Sequence, residues 1–179
     1  MLDLQAILKP ETPIERAMIV HPDFIIGANY GKPRSGHPEG QVAHHIREVL
    51  DNMNELSNTS NRRFLRLIAL PHDTFKYRVD PTKPKTGNNH HGFIAREFAK
   101  QFITQTEILE IIELHDEAYN SWREGQKRGN WQKAEERARR LISRLNSSLP
   151  LYLAFYDCDN RTGDKNRENY LWFEKLSKE

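Results

Sequence analysis

The chain has 179 residues, which is enough for one domain with a hydrophobic core. Basic residues number 27 and acidic residues 25, so the overall charge gives no argument for binding to nucleic acid or to a membrane surface. The single cysteine, Cys158, excludes an intrachain disulfide and a cysteine-rich zinc site. No segment approaches the roughly 20 apolar residues that cross a bilayer, and the N-terminus lacks the pattern of a signal peptide, so we expect a cytoplasmic protein.

The N-terminal part of the chain is rich in proline and glycine, which predicts one short helix over 4–8 followed by mostly irregular chain up to Gly40. From Gln41 onward, apolar residues recur at the spacing of amphipathic helices. The helices predicted in this way cover approximately 41–54, 62–70, 94–102, 106–122, 126–149 and 150–158, with a polar loop over 77–89. We therefore predict an all-α protein: a single helical bundle over 36–179, with residues 1–35 packed on it as an irregular N-terminal segment.

Histidines stand out in the composition, and several of them lie on predicted helix faces that also carry apolar residues. His45 falls within the apolar stripe of Val42 and Ile46, whereas His44 points to the opposite, polar side of the same helix. We therefore expect His45 in the interior, either as a metal ligand or as a core histidine that is satisfied by a hydrogen bond.

The dipeptide His72-Asp73 follows the apolar helix predicted over 62–70. An imidazole and a carboxylate side by side offer nitrogen and oxygen ligands to one cation. Lys76 follows three residues after Asp73, where an ammonium group can neutralise a phosphate oxygen near the metal. The alternative for Lys76 is a solvated surface lysine.

Asp159 ends the last predicted helix and shares a face with Tyr152 and Phe155. A carboxylate on an apolar face needs a partner, and a metal ion is one. Asp157 is the competing ligand, and a simple helix-end turn is the alternative for both aspartates.

His91 and His115 lie on the apolar stripes of two further helices, so they suit a second metal ion or a phosphate clamp. His90 competes with His91 for this role, and packing with hydrogen bonding is the alternative for all three. Inward-facing metal-binding side chains thus occur on several helices. Packing alone does not explain this, because each unpaired buried polar group is costly.

The order of these residues resembles that of the HD phosphohydrolase superfamily: a histidine on one helix, a His-Asp doublet ending the next, and an aspartate on a later helix. Here they are His45, His72-Asp73 and Asp159. Segment 67–76, Leu-Ile-Ala-Leu-Pro-His-Asp-Thr-Phe-Lys, looks like the apolar-HD-x-x-K segment of that family. It departs from the family pattern at Pro71 and at Thr74-Phe75.

A closer likeness is to the HD domain of bacterial CCA-adding tRNA nucleotidyltransferases. Segment 37–42, His-Pro-Glu-Gly-Gln-Val, followed by His45, is similar to their HPEGDV…H run. Segment 157–161, Asp-Cys-Asp-Asn-Arg, resembles their E-A-D-x-R stretch, which selects Asp159 as the ligand. The likeness spans residues 36–163.

Segments 89–92 and 113–116 look like the extra histidine segments of family members that hold two metal ions. The resemblance therefore implies one or two divalent cations, with Mn, Fe, Co, Ni, Zn and Mg not distinguished. It implies that the metal ligands are His45, His72, Asp73, Asp159, His91 and His115. It implies that the catalytic residues are Asp73 and Lys76 and that the substrate-binding residues are Lys76, His90, Arg78 and Arg161.

The function implied is that of a metal-dependent phosphohydrolase acting on a phosphomonoester or phosphodiester, such as a nucleotide or an RNA-end phosphate. The expected partner is thus a phosphorylated small molecule or a nucleic-acid end rather than a membrane, and the oligomeric state is left open. One alternative is a catalytically silent regulatory module that binds a nucleotide or metal, which Pro71 and Thr74-Phe75 would favour. The other is a structural bundle with a buried polar network and no metal.

Overall fold

The computed structural model describes residues 1–56 and 60–179. Within them, regular structure consists of helices, and strand-like pairing is limited to an isolated bridge between Arg34 and His37. The all-α prediction is confirmed. No helix in this part of the chain is long and apolar enough to cross a membrane.

Three short helices precede the main bundle: α1 (Leu4–Leu8), α2 (Pro13–Ile19) and α3 (Pro22–Ala28). The expectation of mostly irregular chain after the first of them is wrong, because two of the prolines start helices instead of interrupting them. Proline in a first turn loses no hydrogen bond, since the first N–H groups of a helix have no partner within it. The side chains of Thr12 and His21 cap α2 and α3 by accepting hydrogen bonds from backbone N–H groups.

The main bundle contains the remaining α-helices. In chain order they are α4 (Val42–Met53), α5 (Arg62–Ala69), α6 (His91–Ala99), α7 (Thr106–Leu114), α8 (Glu117–Arg128), α9 (Trp131–Leu145), α10 (Leu149–Asn160) and α11 (Glu168–Leu176). Short 3-10 helices form at Lys76–Arg78, Gly87–Asn89 and Asn146–Ser148. Helices α4, α5 and α10 contact one another, α5 also contacts α7, and α6 packs on α7. Helices α1 and α3 pack on α4, and their apolar side chains join the same core.

The helix expected over 106–122 is divided into α7 and α8 by a break at His115. The buried hydroxyl of Tyr152, on α10, accepts a hydrogen bond from Ala118 N at 3.2 Å and lies 3.2 Å from the carbonyl oxygen of Leu114. A side chain from another helix therefore satisfies the backbone groups that the break releases. The spacing of apolar residues cannot show such a break, because the partner lies far away in the sequence.

Two further differences concern the C-terminal half. The helix predicted over 126–149 begins later than expected, since α8 ends before Gly129, whose φ of 69° is left-handed, and the side chain of Asn130 caps α9, which carries the whole apolar stripe. Helix α11 lies beyond the last predicted helix. Its buried apolar residues include Tyr170 and Phe173, too few to stand out in a polar segment.

A buried ion pair attaches α2 to α5. Arg66 is 1% exposed and Glu15 is 0% exposed. Arg66 Nη2 donates to Glu15 Oε2 at 2.6 Å and to the carbonyl oxygen of Lys9 at 3.0 Å. Removing one partner of such a pair leaves a charge without compensation in the core.

We expect Glu15→Ala to lower the free energy of unfolding, measured by urea denaturation, by about 3–5 kcal/mol. The control Glu136→Ala, at an exposed position on α9, should change the same quantity by less than about 0.5 kcal/mol. Equally small effects of the two substitutions would show that the ion pair between Glu15 and Arg66 does not stabilise the fold.

Candidate metal centre

Four of the predicted ligands come together inside the bundle: His45 from α4, His72 and Asp73 from the segment after α5, and Asp159 from the last turn of α10. His45 Nε2 is 3.2 Å from His72 Nε2, 3.1 Å from Asp159 Oδ1 and 3.5 Å from Asp73 Oδ2. His72 Nε2 is 3.7 Å and 3.9 Å from the Asp73 and Asp159 oxygens. Donor atoms that bind one ion at about 2.1 Å lie about 3.0–3.5 Å apart. The observed spacing is therefore close to what a shared cation requires.

A second group of donor atoms shares the carboxylate of Asp73. Asp73 Oδ1 is 3.2 Å from His91 Nε2 and 3.4 Å from His115 Nε2, and these two nitrogens are 3.1 Å apart. We call the group of His45, His72, Asp159 and Asp73 Oδ2 cluster A, and the group of Asp73 Oδ1, His91 and His115 cluster B. Asp73 therefore bridges the two clusters, one oxygen to each.

His90 and Asp116 border cluster B. Asp116 Oδ2 lies 3.3 Å from His90 Nε2 and 3.5 Å from His91 Nε2. His90 caps α6 by accepting a hydrogen bond from Gly92 N, and its ring packs on that of His91 with centroids 4.5 Å apart. Of the two neighbouring histidines, His91 is thus the one whose ring nitrogen reaches Asp73.

Two close backbone approaches hold the elements of the centre together. A Cβ atom on Gly27, in α3, would overlap the carbonyl oxygen of Thr74 on the segment that carries the His-Asp doublet. A Cβ atom on Gly92, in α6, would overlap the carbonyl oxygen of Glu113 in α7. Only glycine allows helices to approach a neighbouring backbone this closely, and the second approach brings the histidines of cluster B within reach of each other.

Two histidines direct Nε2 into their clusters because a backbone carbonyl holds Nδ1. His72 Nδ1 donates to a backbone carbonyl three residues earlier at 2.6 Å, and His115 Nδ1 does the same at 2.8 Å. His45 Nδ1 lies 3.2 Å from Oε1 of the buried Glu39 side chain. A proton on Nδ1 leaves a lone pair on Nε2, which is the form of imidazole that binds a metal ion.

The carboxylates of the centre are ionised although they are buried. Burial by itself would raise the pKa of Asp73, but Lys76 and the surrounding histidines hold it well below its ordinary value. Burial would also raise the pKa of Asp159, but Lys165 and the neighbouring histidines hold it well below its ordinary value. Burial lowers the pKa of His72 to about 3, so its imidazole is neutral.

The negative charge of the carboxylates has to be balanced. Burial would lower the pKa of both His45 and His115. Asp159 nevertheless raises the pKa of His45, and Asp116 raises the pKa of His115 to about 9. Protons on these imidazoles are one way to balance the carboxylates, and metal ions that displace the protons are the other. The donor atoms are nitrogen and oxygen without sulfur, a set that fits divalent cations in both clusters.

The centre opens to a cleft of about 450 Å³ that Asp73, Asp116 and Asp159 help to line. Two ammonium groups reach this cleft: Lys76, which donates to Asp73 Oδ2, and Lys165, whose Nζ lies 3.3 Å from Asp159 Oδ1. Beside them lie two aromatic rings, nearly parallel at 26° with centroids 6.1 Å apart. They belong to Tyr119 and Trp122.

Sequence reasoning gave no role to three residues of the centre: Glu39, Asp116 and Lys165. Glu39 lies inside the His-Pro-Glu-Gly stretch that carried the resemblance, and Asp116 forms a second His-Asp dipeptide, so both had a signal. No sequence pattern indicated Lys165, because it lies in a loop and reaches Asp159 only because the chain turns after α10.

The predicted substrate-binding residues Arg78 and Arg161 do not line the cleft, and neither does His90. Arg78 Nη2 pairs with Asp23 at 2.6 Å, and Arg161 Nη1 pairs with Glu55 at 2.7 Å. Both guanidinium groups thus form ion pairs that link segments of the fold. Sequence spacing could not show these ion pairs, because the carboxylate partners come from other segments.

A family model described as the HD domain matches residues 42–146, more than half of the chain. The chain therefore belongs to the HD domain family, whose members are typically metal-dependent phosphohydrolases. The matched region includes every residue of clusters A and B except Asp159. A search among curated proteins and a search among solved structures each found no match.

The register of α4 is tested by two neighbouring histidines. His45 is buried in cluster A, whereas His44 is half-buried on another side of the helix. We expect His45→Ala to lose the metal ion of cluster A and His44→Ala to bind metal as the wild type does, measured by elemental analysis of the purified proteins. The opposite result would place the wrong histidine in the centre.

The number of ions is tested in cluster B. We expect two metal ions per chain in the wild type and one in His115→Ala, because that substitution removes a nitrogen ligand from cluster B and leaves cluster A complete. One ion per chain in both proteins would show that cluster B is a hydrogen-bonded group and not a metal site.

Proposed function

We propose that this protein hydrolyses a phosphate ester with the help of two divalent cations, one held by cluster A and one by cluster B. The observation that carries the proposal is the bridging carboxylate of Asp73, which lies within 3.5 Å of histidine nitrogens in both clusters. The residues of the two clusters would hold a pair of ions that share this ligand, and such pairs stabilise both the attacking and the leaving oxygen of a phosphate.

Such ions, when bound, polarise the phosphoryl oxygens and make a water molecule more nucleophilic at neutral pH. The side chains of the chain hold and orient the reactants around them. Lys76 lines the cleft beside Asp73 and would bind a phosphate oxygen through its ammonium group. Asp73 would hold both ions, since one of its oxygens faces each cluster. In the reaction a water oxygen bonds to phosphorus, the bond to the ester oxygen breaks, and that oxygen leaves with a proton from the water.

The substrate that we propose is a nucleotide or an RNA-end phosphate. Two observations support it. Tyr119 is 40% exposed and its ring lies nearly parallel to Trp122 at the cleft, where a planar base can stack. The likeness of segment 37–45 to the HD domain of CCA-adding enzymes points to the same chemistry.

Elemental analysis of the purified protein, followed by a screen of phosphate esters, tests the proposal. We expect bound divalent metal and hydrolysis of at least one nucleotide. Asp73→Ala should lose both ions and lower kcat/KM by more than about 100-fold, because it removes the ligand that the clusters share. Its far-UV circular dichroism should match the wild type, since the apolar helix faces are unchanged.

Two other outcomes would replace the proposal. Bound metal without hydrolysis of any ester would identify a regulatory module. Absence of metal, with Asp73→Ala affecting stability alone, would identify a structural polar cluster.

A further inference from the structure

We propose that Lys165 is a second phosphate-binding residue and that it makes the cleft selective for the dianion of a phosphomonoester over the monoanion of a phosphodiester. This inference rests on the proposed phosphohydrolase function and names the substrate class within it.

Lys165 lies in the loop between α10 and α11 and lines the cleft. Its Nζ is 3.1 Å from the carbonyl oxygen of Asp159 and 3.3 Å from Asp159 Oδ1, and its side chain is 21% exposed. The ammonium group is therefore next to cluster A and still open to a ligand. The carboxylate oxygen that it meets is the one that faces His45.

The loop that carries Lys165 is fixed to α4 and to the segment before it. Gly36 N donates to Asp164 Oδ1 at 2.7 Å, and Gly163 N donates to Glu48 Oε2 at 2.8 Å. Gly163 has a φ of +59°, and a Cβ atom there would lie 3.0 Å from Pro38 Cδ. These contacts hold the lysine in place before a ligand binds, which reduces the ordering cost of binding.

Lys76 reaches the same cleft from another element, the segment after α5. Both ammonium groups act on His37, which also lines the cleft: burial lowers the pKa of His37, and Lys165 and Lys76 lower it further. A phosphate bound over the centre would thus meet one lysine beside Asp73 and another beside Asp159.

The charges of the centre distinguish the two ester classes. The carboxylates in contact with the clusters are those of Glu39, Asp73, Asp116 and Asp159. They balance two divalent ions, and histidines that bind a metal ion are neutral. The ammonium groups of Lys76 and Lys165 are then not balanced by these carboxylates and give the centre a net positive charge. Two positive charges match a monoester dianion, whereas a diester monoanion would leave one of them without a partner.

The test compares binding of inorganic phosphate and dimethyl phosphate to the metal-loaded protein, by calorimetry above the second pKa of phosphate. We expect Lys165→Gln to weaken phosphate binding by about 10- to 100-fold, the effect of a lost charge-assisted hydrogen bond. Binding of dimethyl phosphate should change by less than about threefold. Lys165→Arg should retain the preference for phosphate, and Lys100→Gln, the same charge change on the exposed surface, should behave as the wild type.

Kinetics give a second readout. We expect the ratio of kcat/KM for p-nitrophenyl phosphate to that for bis-p-nitrophenyl phosphate to fall in Lys165→Gln. Equal weakening of both anions, no weakening of either, or loss of metal from the variant would each overturn the proposal. If the wild type hydrolyses no phosphate ester of the screen, the proposed function fails, while the two binding constants still decide the role of Lys165.

Discussion

The carboxylate of Asp73 belongs to both clusters, and its position constrains the histidines of both clusters and the segment after α5. One oxygen lies 3.5 Å from His45 and the other 3.2 Å from His91, so the carboxylate cannot turn without breaking contact with one side. The backbone of the segment after α5, which carries Asp73, therefore has to be fixed in position. Thr74 fixes it through a 2.7 Å hydrogen bond to the carbonyl of Leu70, and through its close contact with the Gly27 backbone.

The buried carboxylates of the centre and the lysines beside them affect both the stability of the fold and the chemistry of the site. Several carboxylates buried together repel one another, so the fold tolerates them only with cations at hand. Lys76 and Lys165 supply two of these, and both are placed where a phosphate oxygen would also need them. The buried carboxylates and histidines that are costly to fold together are also the groups that could hold metal ions.

The centre is completed by parts of the chain outside the family match. Residues 42–146 contain the histidines of both clusters, but Asp159 and Lys165 come after that region. Before it, α3 supports the segment that carries Asp73, and Glu39 lies beside His45 Nδ1.

The sequence by itself determined the helical class, because the spacing of apolar residues from Gln41 onward fits only helices. It also indicated His45 and His72-Asp73 as candidate ligands, since each lies on an apolar helix face or at a helix end where a polar residue is unexpected. Local spacing carries this information because helix geometry is a property of neighbouring residues. The choice of Asp159 over Asp157 came from the resemblance to the HD family and not from spacing.

Only the tertiary structure decided what depends on partners far away in the chain. The break between α7 and α8 depends on the hydroxyl of Tyr152, the bridging role of Asp73 depends on His91, and the placement of Lys165 depends on the loop before α4. Pro13 and Pro22 start helices because those helices have a core to pack against. In each case the deciding contact joins residues that no local pattern relates, so the folded chain has to bring them together.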